Sequence, residues 1–245
     1  MTIKHRALDR DAEEYLIHDE ETPCPYLNDL VARMPLRMPT TTLSPEQFDT
    51  RLSEGDRRSG PFLYRTNCPT CQACEAIRID VPRFQANKTQ HRVLRRGDKQ
   101  LSVRIGQPVV DQQRVDMFNA HRHVRGLVGL DREIDEQGYS AFLVQTCCET
   151  LEICYHLDQQ LVAVAIFDCG RDAISAVYCF FDPRFSRLSL GTYSVLKQIE
   201  FCRQWKKRYV YLGYYVRESR HMSYKARFLP HERLIEGCWQ KFDPT

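Results

Sequence analysis

Residues 139–145, 151–157, 161–168 and 173–181 form a run of four β-rich segments, parted only by short turns such as Asp158-Gln159-Gln160 and Cys169-Gly170. Segments of that length and spacing are expected to be consecutive strands. Leu190-Gly191-Thr192 then opens a helix over about 193–205, with Val195, Leu196, Ile199 and Cys202 on one face. A strand follows at 208–213 and a last one at about 233–242. Strands, a helix and further strands in that order make an α+β class.

The first half is more broken. Ser44-Pro45-Glu46-Gln47 carries an N-cap, a proline at the first helical position and polar residues behind it, which predicts a helix over 45–54 stopped by Gly55. Residues 64–65 and 76–81 alternate as strands. Val110, Val115, Phe118 and Val124 are spaced for a helix over 109–125 that ends at Gly126. Residues 13–17 suggest a short acidic element, and Cys24-Pro25-Tyr26 a loop. Residues 32–40, beside Pro35, Pro39 and Pro45, are expected to be irregular. The division between halves falls near 105–110, giving an N-terminal region 1–106 and a C-terminal domain 107–245.

Hydrophobic residues at 42% and charged residues at 27% describe an ordinary globular chain. No stretch approaches the roughly 18 apolar residues of a membrane span. The start leads into an acidic run rather than a signal-peptide core, so a cytoplasmic address is expected. Net charge is only +3, but Arg83, Lys88, Arg92, Arg95, Arg96, Lys99 and Arg104 crowd one stretch against the single acid Asp98. That is either a phosphate-binding footprint or a solvated basic face. Of eleven cysteines, seven sit among apolar neighbours as small core residues. Cys24, Cys68, Cys71 and Cys74 lie in polar, turn-like sequence, and the C-x2-C-x2-C spacing suits Zn²⁺ or an iron–sulfur cluster, or else four free thiols.

Several ordered blocks resemble a known family. They are Cys24-Pro25-Tyr26-Leu27; Arg57-Arg58-Ser59-Gly60 with Tyr64-Arg65; Cys68 to Cys74 with Ile77-Arg78-Ile79; and Arg92-Val93-Leu94-Arg95-Arg96. The second half adds Ser175 to Tyr178 with Phe181-Asp182-Pro183, Ser189 to Tyr193, Tyr211-Leu212-Gly213-Tyr214-Tyr215, and Met222-Ser223-Tyr224-Lys225 with Phe228 and Pro230. The chain resembles the bacterial aminoacyl-tRNA–protein transferases of the N-degron pathway, the aspartate/glutamate leucyltransferases, which are related to arginyl-tRNA–protein transferases. One departure is Gly129-Leu130-Asp131-Arg132-Glu133, where the family more often has small and aromatic residues after a His-Gly pair.

The resemblance implies transfer of an amino acid, leucine before arginine, from its tRNA to the N-terminal Asp or Glu of proteins that are thereby marked for degradation. It also implies a GNAT-like acyltransferase fold in the C-terminal half, beside a smaller cysteine-containing N-terminal region. Aminolysis of an aminoacyl ester is downhill and requires no cofactor. The acceptor α-amine, with a pKa near 8, is about one-tenth neutral at pH 7, and positioning supplies much of the rate. No Ser-His-Asp or Cys-His constellation is legible, and no general base is assigned. For tRNA and donor the expected residues are Arg92, Arg95, Arg96 and Lys99, with Tyr214, Tyr215 and Tyr224 as stacking groups; the alternative for the tyrosines is a half-buried place in the sheet. Ser189 to Thr192 offers a helix N-terminus to an anion. For the acceptor carboxylate the expectation is Arg58 and Lys225, with Arg57 facing solvent; the alternative for Arg58 is a structural ion pair with an N-terminal acid. Two other classes compete. A zinc-knuckle nucleic-acid-binding protein explains the cysteines and basic run but leaves the second half without a task. An acetyl-CoA-dependent N-acetyltransferase calls for a glycine-rich loop before the long helix, where residues 186–191 hold one glycine.

Overall fold

The computed structural model describes residues 13–126 and 133–244. Short strands β1 (Glu14–His18), β2 (Glu21–Pro23), β3 (Val31–Arg33) and β4 (Leu36–Pro39) precede helix α1 (Pro45–Ser53). Strands β5 (Arg57–Ser59), β6 (Phe62–Tyr64) and β7 (Glu75–Asp80), helix α2 (Lys88–Gln100) and strand β8 (Leu101–Gly106) follow. Next come α3 (Gln112–Val124) and α4 (Glu136–Tyr139), which runs into a π turn at Ser140–Val144. Strands β9 (Thr150–Leu157), β10 (Gln160–Cys169) and β11 (Ala173–Phe181) lead through a 3₁₀ turn to α5 (Leu190–Gln204). Strand β12 (Tyr209–Tyr215), a 3₁₀ turn (Ser223–Arg227), β13 (His231–Ile235) and β14 (Cys238–Phe242) complete the chain.

The strands form an eight-stranded mixed sheet, order β14-β13-β7-β12-β11-β10-β9-β8, a small four-stranded sheet, order β1-β4-β6-β5, and the separate pair β2-β3. Helices cover both faces of the large sheet. On one, Val93 of α2 and Tyr193, Leu196 and Ile199 of α5 pack on Ile153, Tyr155, Ala165 and Phe167. On the other, Phe118 of α3 with Tyr139 and Leu143 pack on Val164, Ile166 and Phe180. Being covered twice, β10 is an almost unbroken apolar run rather than an alternating one. A third cluster seats α1 and Leu63 of the small sheet on Ala173 and Tyr211.

The expected strands β9, β10, β11 and β12, and helices α1, α3 and α5, are all present. Three expectations change. Residues 139–145 are helical: Asp135 caps the turn by accepting from the Gly138 N–H at 2.8 Å, and Tyr139 and Leu143, four apart, share the buried face. Residues 32–40 hold most of β3 and all of β4, because Pro35 lies before β4 and Pro39 is its last residue, so neither interrupts the ladder. The final strand is a hairpin, turned by Glu236 and Gly237 at φ 50° and 76°, the left-handed pair that a two-residue turn demands. The basic stretch is a helix, α2, opened by a reciprocal cap. Asn87 accepts from the Thr89 and Gln90 N–H groups while Gln90 accepts from the Asn87 N–H.

The division at 106/107 does not follow the large sheet. Strands β7 and β8 come from the N-terminal side, and β7 is inserted between β12 and β13. The Gly129–Glu133 departure lies, except for Glu133, outside the described residues. No described helix is long and apolar enough to cross a membrane.

Candidate active site

Strands β11 and β12 are parallel, and their register runs only from Ala173↔Tyr209 to Ser175↔Tyr211. Beyond it they diverge, and the gap opens into a cleft of about 2120 Å³. Ala176, Val177 and Tyr178 of β11 line it on one side and Leu212, Gly213 and Tyr214 of β12 on the other. The first turn of α5, Leu190 to Thr192, lines it too, along with the ends of α2 and α3. Backbone freed from a ladder beside a large opening is what an extended substrate needs to pair with.

The divergence has a local cause. Strand β12 carries a bulge against β7 between Tyr211 and Tyr214, and Gly213 sits at φ 80°, where a side chain would be strained. Two buried basic side chains hold the bulge. Arg57 donates to the Gly213 carbonyl at 3.2 Å and lies between the rings of Tyr211 and Tyr214. Lys225 donates to the Tyr214 carbonyl at 2.6 Å. Arg57 is 4% exposed, so it faces the interior, not solvent. Burial first, then Arg57, push Lys225 down to about 7, against a smaller opposing effect of Cys74.

Arg58 is also committed. Its Nε donates to both carboxylate oxygens of Asp168 at 2.8 and 2.9 Å, with both side chains essentially unexposed. Its Nη1 donates to the carbonyls of Gly60 and Gln145. The structural ion pair weighed for Arg58 therefore exists, but its partner comes from β10 rather than from the N-terminal acids. Lys225 is likewise engaged by backbone and 7% exposed.

The tyrosines divide. Tyr214 and Tyr215 are buried sheet residues; the Tyr214 hydroxyl donates to Gly55 O at 3.0 Å, and Arg233 lies over the Tyr215 ring. Tyr224 is half-buried and lines the cleft. Arg92, Arg95, Arg96 and Lys99 are all exposed on α2. Lys88, His91, Arg92 and Arg95 surround a shallow hollow of about 560 Å³. Arg96 reaches Ser189 Oγ at 3.3 Å, at the N-terminus of α5. The basic helix thus runs up to the rim of the cleft.

Cys24, Cys68, Cys71 and Cys74 are neighbours. Burial and then Cys68, Cys24 and Cys71 push the Cys74 thiol up to about 12. Soft sulfur donors suit zinc or an iron–sulfur cluster. Among the described residues, however, no three His, Cys, Asp or Glu side chains are placed to close on one ion. As placed, these thiols do not form a ligand set.

Residues 22–92 match the N-terminal part, and residues 113–235 the C-terminal part, of the arginine-tRNA-protein transferases. The chain belongs to this family. It is 37% identical over 223 residues to an aspartate/glutamate leucyltransferase of Thiobacillus denitrificans, covering 90% of this chain and 91% of that one. It is 34% identical over 238 residues to an aspartate/glutamate leucyltransferase of Chromobacterium violaceum, covering 97% and 98%. Among solved structures, FemX is similar at TM-score 0.43 and 8% identity, over 74% of this chain and 63% of FemX. L-PGS of Bacillus licheniformis is similar at TM-score 0.42 and 10% identity, over 60% and 48%.

In this transferase-family chain the cleft also collects residues that sequence reasoning passed over: His121 and Arg125 at the end of α3, and Arg220 and His221 after β12. His121 Nδ1 accepts from the Phe181 N–H at 3.3 Å, and burial with Arg125 pushes it down to about 4. The crowded His121-Arg122-His123-Val124-Arg125 run at a helix end is the signal that was available.

Proposed function

We propose that this chain moves leucine from leucyl-tRNA to the N-terminal Asp or Glu of proteins, the activity named for its relatives. The observation that carries the reading is the basic α2 ending at a large cleft, in a chain that matches the transferase family along most of its length. In this reading α2 takes the phosphates of the acceptor arm through Arg92, Arg95, Arg96 and Lys99. The first turn of α5 and Tyr224 receive the tRNA's 3′ end. A parallel pair that diverges around the α5 crossover supports a GNAT-like arrangement for the second half.

The step balances within the two substrates. The neutral α-amine attacks the ester carbonyl, a C–N bond forms, and the C–O bond to the ribose breaks. The amine's proton leaves and the ribose oxygen is protonated. Holding ester and amine together in the gap supplies effective concentration, and free backbone N–H groups there are available to the developing oxyanion. Zinc or an iron–sulfur cluster on Cys24, Cys68, Cys71 and Cys74 has no part in that balance; elemental analysis of purified protein and of a Cys71→Ser variant tests whether those thiols hold one. The test of function is incubation with leucyl- or arginyl-tRNA and an Asp-starting peptide. A mass increase of one leucine is expected, and no added residue from either tRNA overturns the reading.

A further inference from the structure

We propose that Arg125 and Arg220, flanking His221 at the rim of the cleft, bind the side-chain carboxylate of the acceptor's N-terminal Asp or Glu. The inference rests on the transferase reading above and adds the residues that set its acceptor specificity.

The first argument is the commitment of the other candidates. Arg58 and Lys225 also line the cleft, but the charge of Arg58 is already neutralised by Asp168, and Lys225 is 7% exposed and donates to the Tyr214 carbonyl. The second is the contrast in pairing. Arg33, Arg65, Arg78, Arg114 and Arg233 each carry a carboxylate partner. Arg125 and Arg220 are exposed and have none among the described residues. Arg220 Nε donates to His221 Nε2 at 3.4 Å.

The third argument is where their charge falls. Arg125, Arg220 and His221 line the same cleft, Arg220 Nε lies 3.4 Å from His221 Nε2, and His221 is pushed down by burial, then by Arg125 and Arg220. Arg125 also acts on Tyr178, Cys179 and Tyr224, which line the gap between the diverging strands. An acceptor's carboxylate is only a few bonds from its reacting amine, so its receptor must lie beside that gap. The turn carrying Arg220 is built to present it: Met222 and Ser223 both donate backbone N–H groups to the Ser219 carbonyl at 3.0 and 2.8 Å. Paired guanidinium groups bind a carboxylate through fork-like hydrogen bonds. An amide in its place leaves two cations unneutralised, so Asn and Gln are rejected.

The test compares wild type with Arg125→Gln, Arg220→Gln and Arg125→Lys. Titration calorimetry reads binding of Asp-, Glu- and Asn-starting peptides, and transfer assays read kcat/KM with leucyl-tRNA. Each Gln variant should weaken Asp and Glu peptides by about 10- to 100-fold, the scale of one hydrogen bond to a charged group. Asn peptides and the tRNA Kd should change less than about twofold on the same argument, and Arg125→Lys should restore part of the loss. Unaltered Asp/Asn discrimination in both Gln variants overturns the assignment, as does a loss confined to tRNA affinity. A wild-type protein that distinguishes Asp from Asn peptides in binding but transfers nothing overturns the transferase reading and leaves the binding assignment to be read from the same titrations.

Discussion

Replacing Arg58 by methionine separates a structural role from an acceptor-binding one. The guanidinium of Arg58 gives Asp168 two hydrogen bonds at 2.8 and 2.9 Å, and Thr150 Oγ1 gives it a third at 2.7 Å. Methionine fills similar volume but leaves the Asp168 carboxylate unexposed, with only the threonine to offset its charge. It also frees the Gly60 and Gln145 carbonyls that Arg58 Nη1 bridges. Removing one partner of a buried pair costs about 3–5 kcal/mol. With an unfolding entropy near 2.1 cal/mol/K per residue, about 0.5 kcal/mol/K for this chain, that is a fall in Tm of roughly 6–10 °C. Because an apolar pair of similar volume is often neutral or stabilising, Arg58→Met/Asp168→Leu should recover most of the loss. Thermal unfolding followed by circular dichroism measures both variants. Peptide kinetics are then taken well below the lower Tm, where the KM for an Asp peptide should stay near wild type. A wild-type Tm for Arg58→Met, together with a collapsed peptide kcat/KM, refutes the structural assignment and returns Arg58 to the acceptor.

Three further outcomes follow from the geometry. Arg95→Ala/Arg96→Ala should flatten the log–log salt dependence of tRNA binding by about 0.7–0.9 for each phosphate that is no longer neutralised, read by filter binding from low to moderate salt; an unchanged slope removes α2 from the tRNA path. Gly97→Ala should destabilise although alanine favours helix, because the new Cβ would stand 2.3 Å from the Tyr193 ring; the net loss in denaturant titration should be about 1–3 kcal/mol. Lys225→Met should remove a pH dependence. The folded lysine sits near 7 and the unfolded one near 10.4. The unfolded chain therefore binds more protons between those values, and native stability rises with pH across that window. Wild type should gain up to about 1.4 kcal/mol per pH unit over the variant between pH 7 and 9, and parallel curves for the two proteins would count against a buried, neutral lysine.

Much of the fold was readable because local and tertiary preferences agree. The strands at 151–157, 161–168 and 173–181 are apolar and bounded by turn residues, and Ser44 and Pro45 mark α1 unambiguously. Residues 139–145 misled because their apolar residues alternate in part, while Tyr139 and Leu143 are paired by the helix spacing that α3 rewards. β7 reads as a strand from 76–81, but its partners do not, since nothing local in 75–80 encodes a place between β12 and β13. The site follows the same rule. Arg92 to Lys99 announce themselves by charge density. Burial decided Arg57, Arg58 and Lys225, and burial is settled by Asp168 and by the bulge at Gly213, far away in sequence.

The insertion of β7 has a consequence for how the chain is made. Asp80 pairs with Tyr209, and Arg78 with Glu232, so this strand leaves the ribosome well over a hundred residues ahead of either neighbour. Its apolar face, Ile77 and Ile79, must wait through the synthesis of α2, α3 and the β9–β11 meander before it is covered. Vectorial synthesis thus delivers the antiparallel meander first and closes the sheet last, when β12 and then β13 emerge on either side of β7. Strand pairing of such long range is slow. A nascent chain stalled between β11 and β12 should therefore expose β7 to chaperones and proteases, while β9, β10 and β11 are already protected.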